Sequence, residues 1–177
     1  FNPEILFWKK RKKNIRFIFS NELLESEKVL SDEAYFLKKE EVYRDHRIKV
    51  KAFGSTDAGC SFLVSHKDKL FFHAGDLNNW HWREEVSVEE ALTYENNFLC
   101  ELELLSEKSE SIYVAMFPID PRLGKDFMRG AEQFISRIKV EYFLPMHFGD
   151  KYELLGSFKE LAENNKTNWN LQSITLD

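Results

Sequence analysis

Between residues 34 and 72 the apolar side chains alternate with polar ones in short runs, and beyond Ser87 the pattern lengthens to helices with strands set between them. Val42, Ile48, Val50, Ala52, Phe62, Val64, Leu70 and Phe72 carry the first pattern, that of half-buried antiparallel strands. His66-Lys67-Asp68-Lys69 reads as a hairpin turn between two of them. In the second half, Ser87 and Glu90 make a capping box that opens a helix. Its apolar face is read as Val88, Ala91, Leu92, Leu99, Leu102 and Leu105. Residues 112–117 and 140–144 read as strands, 125–138 and 151–163 as helices, and 171–176 as a closing strand. At the other end, 3–13 is predicted helical, 15–19 a short buried strand, and 21–30 helical or irregular. An antiparallel β region followed by β-α-β-α-β predicts a layered α/β (α+β) protein with mixed sheets.

Residues 1–177 read as a single domain, without repeats, low-complexity stretches or Pro/Gly/Ser linkers. A net charge of −5 argues against a nucleic-acid partner, since phosphate binding needs a basic face. The run Lys9-Lys10-Arg11-Lys12-Lys13 is the local exception, readable as a solvated helix end or as a contact for an anionic surface. Two cysteines, Cys60 and Cys100, make neither a disulfide framework nor a CxxC metal pair, and a reducing cytoplasm is expected. No apolar run reaches the roughly 18 residues of a membrane span, and no signal-peptide pattern opens the chain.

Two segments place chemistry at strand ends. In His73-Ala74-Gly75-Asp76-Leu77-Asn78-Asn79-Trp80-His81-Trp82 a buried strand stops, Gly75 permits a sharp bend, and Asp76 follows at the mouth where α/β proteins place functional groups. Asp76 is either a metal ligand or the cap of the next turn. In Leu144-Pro145-Met146-His147-Phe148-Gly149-Asp150 an imidazole occupies the same position after another strand, as a ligand or as a packed polar group. A third loop, Gly54-Ser55-Thr56-Asp57-Ala58-Gly59-Cys60-Ser61, offers Asp57 as a ligand or as an Asx-turn. Arg122, in Asp120-Pro121-Arg122-Leu123-Gly124, follows a strand and either binds an anionic substrate group or belongs to a turn. Trp80 and His81 are candidate pocket walls, His73 reads as packed, and His46 and His66 read as surface residues.

The order and approximate spacing of these segments resemble the metallo-β-lactamase fold. Gly54 to Gly59 with Ser61-Phe62-Leu63-Val64 is similar to its central loop and strand, His73-Ala74-Gly75-Asp76 to its Gly-Asp metal loop, and Pro145-Met146-His147-Phe148 to its C-terminal ligand histidine. The resemblance implies an αββα sandwich holding one or two metals, usually zinc, with manganese or iron as alternatives. Asp76 would be the bridging carboxylate and His147 the terminal ligand, and together they would be the catalytic pair. Metal-activated water would attack an ester, lactone or phosphodiester of a small-molecule substrate. The family's middle histidine falls near Thr56, a poor ligand, which leaves Asp57 as the substitute. The family's His-x-His-x-Asp-His motif would lie just before Phe1, so the domain is expected to be incomplete at its N-terminus, lacking the first strands. Such a form is expected to bind metal weakly, and either to form a homo-oligomer through exposed sheet surface or to pair with its own missing segment. The alternative expectation is a non-catalytic member of the fold that binds a ligand or partner.

Overall fold

In the computed structural model, which describes residues 2–26, 32 and 34–168, the alternating region and the later strands form one six-stranded sheet. Strands β3 (Val42–Arg44), β4 (Ile48–Phe53), β5 (Ser61–His66) and β6 (Lys69–His73) pair antiparallel in chain order. The hairpin closes at Lys67-Asp68, with Lys67 at φ +52° and His66 paired to Lys69. Strands β7 (Ser111–Pro118) and β8 (Lys139–Met146) then join parallel to β6 and to each other. Parallel neighbours need crossovers, supplied by α3 (Val88–Ser106) and α4 (Arg129–Arg137). A separate pair, β1 (Ile18–Ser20) and β2 (Tyr35–Leu37), runs parallel. The short helices α1 (Trp8–Arg11) and α2 (Glu22–Glu25) flank β1, and α5 (Leu155–Asn164) closes the described chain.

One face of the sheet buries most of the core. Phe72, Phe117, Phe134, Phe143 and Phe158 stack there, with ring centroids between 4.6 and 6.3 Å. Each of these five buried Phe side chains contributes on the order of 2 kcal/mol in transfer terms. The opposite face of β4 and β5 packs Val50, Ala52, Phe62 and Val64 against Leu37 and Ile18 of the small parallel pair.

Several element limits shift from the sequence expectation, each for a local reason. The α3 cap is as read, Ser87 Oγ accepting from Glu90 N at 3.2 Å. Its buried stripe is instead Ala91, Glu95, Phe98, Leu102 and Leu105, while Val88 and Leu92 face solvent. The helix expected over 125–138 is a 3-10 turn, Pro121–Asp126, followed by α4. Gly124, at φ +72°, breaks the helical path between them. The expected 3–13 helix likewise divides into a 3-10 turn, Pro3–Phe7, and α1, and the 151–163 helix starts with a 3-10 turn, Tyr152–Leu154. The strand expected over 15–19 is displaced to β1, and the one expected over 171–176 lies outside the described residues. Among the described residues, no helix is long and apolar enough to cross a membrane.

Candidate metal centre

Because β6, β7 and β8 are parallel, their C-terminal ends come out on one side of the sheet, and the next residues of each meet there. Asp76 follows β6, Asp120 follows β7, and His147 follows β8. His147 Nε2 lies 3.0 Å from Asp76 Oδ1, and its Nδ1 lies 3.5 Å from Asp120 Oδ2. Asp76 and His147 keep about a third of their side-chain surface in solvent, 34% and 33%, whereas Asp120 keeps 2%. The bend at Gly75 is obligatory: φ is +58°, and a Cβ there would stand 2.8 Å from the Cys60 carbonyl oxygen. His147 adopts φ +69°, a left-handed conformation uncommon outside glycine and one that accumulates at functional sites.

Asp120 is gripped by Arg122. Its Oδ1 accepts from the Arg122 backbone N at 3.0 Å, and both carboxylate oxygens accept from the guanidinium at 2.5 to 3.0 Å. Burial alone would raise the Asp120 pKa, but the Arg122 hydrogen bonds and charge outweigh it and hold the group below its ordinary value. Arg122 thus has its guanidinium engaged on its own loop, with its charge also facing Asp57 and Asp76. His73, at the end of β6, accepts from Gly75 N through Nδ1 at 3.0 Å, and desolvation lowers its pKa against the opposing charge of Asp76.

The Asp76 loop is pinned from both sides. Thr56 Oγ1 donates to the Asn78 carbonyl at 2.6 Å and accepts from Asn78 N at 3.0 Å. Trp80 is buried; its indole Nε1 donates to the Asp76 carbonyl at 2.8 Å, and its ring meets the His147 imidazole at 5.8 Å. His81 is buried too, with Nδ1 accepting from Arg83 N and Nε2 donating to the Asp126 carbonyl. Both ring nitrogens therefore serve the turn into the 3-10 segment. Asp57 is solvent-exposed at the edge of this area, its backbone N bonded to Ser55 Oγ. The residue whose role the sequence reading missed is Asp120; its signal was the same strand-end position that singled out Asp76 and His147.

A carboxylate and an imidazole side by side, each open to solvent, are suitable donors for a divalent cation of the zinc class. Their number is short: among the described residues, no group of three or more His, Cys, Asp or Glu side chains is placed to hold a metal. Beside Asp76 and His73 opens a groove of about 570 Å³, running past Cys60 and Phe62 to Phe19 and Leu23.

The fold has solved counterparts. Igni18, a metallo hydrolase from the archaeon Ignicoccus hospitalis, superposes with a TM-score of 0.61 at 13% identity over 94% of this chain and 69% of its own. A candidate metal-dependent hydrolase from Parabacteroides distasonis gives 0.59 at 11% identity over 90% of this chain. CmlA, a diiron β-hydroxylase from Streptomyces venezuelae, gives 0.55 at 8% over 88%. The fold of this chain is thus similar to the folds of Igni18 and the Parabacteroides protein. It spans 64% of the Parabacteroides protein's length and 38% of CmlA's. No protein-family model matches the sequence, and no curated protein sequence matches it.

Proposed function

We propose that this chain carries part of the centre of a metal-dependent hydrolase, of αββα sandwich type, with Asp76 and His147 as two of the metal ligands. The observation that carries the reading is the 3.0 Å contact between these side chains at the mouth of three parallel strands. Zinc, as one or two ions, is the first choice by donor type, and iron or manganese are the alternatives. The iron of a protein with the same fold, CmlA, supports that range. When bound, such an ion would supply an activated water for hydrolysis of an ester, lactone or phosphodiester. The chain's own part is to hold the ion through Asp76 and His147 and to admit a small-molecule substrate along the groove at Asp76. Asp57, at the exposed edge, is a further candidate ligand. Trp80 walls the site, Arg122 sets the charge beside it, and His81 fixes the turn that carries them.

The short donor set also favours a second reading: a non-catalytic member of the fold that uses the mouth and groove to bind a ligand. Zinc titration by calorimetry separates metal binding from its absence. Weak binding is expected, with Kd in the micromolar range or above, abolished in Asp76→Asn and His147→Ala. Binding unchanged in both variants overturns the ligand assignment. Zinc bound without hydrolysis of an ester, lactone and phosphodiester panel favours the ligand-binding reading.

A further inference from the structure

The contacts around His147 close into a ring. Trp80 meets the imidazole edge-on at 5.8 Å, and Trp82 stacks on Trp80 at 6.1 Å with planes 14° apart. Arg122 lies over the Trp82 ring at 5.8 Å, Arg122 grips Asp120, and Asp120 faces His147 Nδ1 at 3.5 Å. Each member touches the next and the last touches the first. Two of the five, His147 and Trp82, sit at positive φ, +69° and +41°. A backbone strained at two points of one circuit persists only where surrounding contacts over-determine it.

We propose that this collar positions the His147 imidazole, with Asp120 and Trp80 as its direct contacts and Arg122 and Trp82 acting through them. His147 follows β8 on a loop, with a third of its side chain exposed, so its backbone alone does not fix the ring. Asp120 fixes one ring nitrogen from a buried site, and Trp80 walls one edge. Nε2 is then left facing Asp76. The guanidinium engages both oxygens of Asp120, and the same group lies over the Trp82 face. The Gly75–Trp82 segment therefore has two jobs, to present Asp76 and to build the wall that orients the ligand opposite it. This deepens the metal-centre reading, and its test is chosen to stand apart from it.

The discriminating variant is Trp82→Ala, because Trp82 is in the collar yet makes no ring contact with His147. Proton NMR of the labelled, metal-free chain should show cross-peaks between the His147 ring and the Trp80 indole in the wild type. In folded Trp82→Ala and Asp120→Asn these peaks should weaken at least severalfold, and Trp82→Phe should restore them. Arg122→Gln, at a side chain 65% exposed, gives the same reading where an Asp120 variant fails to fold. Zinc affinity should fall by roughly 10- to 100-fold in the same variants, the usual effect of losing a group that orients a ligand. Cross-peaks unchanged in folded Trp82→Ala and Arg122→Gln overturn the proposal, whatever happens to thermal stability. If the wild type binds no zinc, the metal reading fails, while the cross-peaks still decide the collar.

Discussion

Single residues set the tolerances of the loop that presents Asp76. Gly130, in the first turn of α4, packs against it, and a Cβ there would fall 2.0 Å from Asn78 Oδ1, a fully buried atom. Asn78 has no room to retreat, since its backbone is tied to Thr56 on both polar groups. Gly130→Ala should therefore destabilise by about 1–3 kcal/mol, the usual range for overpacking, read as a drop in Tm. It should also broaden the NMR signals of Asn78 and Trp80. An unchanged Tm would mean that the loop yields more easily than its contacts indicate. The side-chain Oδ1 and Nδ2 of Asn78 and Oδ1 of Asn79 are buried without a hydrogen-bond partner among the described residues, which adds to the cost of any further crowding.

At the scale of elements, α3, α4 and the loop before α3 are joined by one carboxylate. Glu95, in the middle of the buried stripe of α3, accepts from Arg129 at 2.6 Å, from Gln133 at 2.6 Å and from Arg83 at 3.0 Å. Burial pushes its pKa up, but the Arg129 and Gln133 hydrogen bonds and the two positive charges more than reverse this, leaving it below the ordinary value. A carboxylate depressed in the folded state contributes stability above its unfolded pKa, near 4.3, and loses it as pH falls through the folded value. Wild-type Tm should thus fall below about pH 4 more steeply than that of Glu95→Gln. The variant itself should be about 1–2 kcal/mol less stable at neutral pH, because the buried Glu95 side chain loses its charge-assisted hydrogen bonds to two part-exposed arginines. Equal acid slopes would remove Glu95 from the account. Its place also explains a misreading. An acid at position 95 looks solvent-facing in a hydropathy pattern, so the sequence pointed to Val88 and Leu92, although the spacing of Ala91, Phe98, Leu102 and Leu105 already marked the buried face.

Over the whole molecule, the order of the strands, the Asp76 and His147 strand-end positions and the α3 cap were legible because each rests on local chemistry: alternation, a glycine bend, a serine before a glutamate. What was not legible needed residues far apart in the chain. The Asp120 contact with His147 joins β7 to β8, and the Trp82–Arg122 contact spans 40 positions, so no window of sequence contains either. The sheet also keeps a half-covered aromatic face. Phe71, Tyr113 and Tyr142 alternate with the core residues of β6, β7 and β8 and contact one another edge-on at 5.7 and 5.3 Å. We expect this face to drive self-association, seen in light scattering as a mass rising with concentration and reduced by Tyr142→Ser. A constant monomer mass at all concentrations would contradict it.

The claim on which the rest depends is that Asp76 and His147 share a cation. Anomalous diffraction at the zinc edge, from crystals of this chain soaked in zinc, tests it directly. A peak is expected between the two side chains, roughly 2.0–2.2 Å from an Asp76 carboxylate oxygen and from His147 Nε2, displacing their direct contact. A map with no peak there, and with Asp76 and His147 still hydrogen-bonded to each other at saturating zinc, would contradict it.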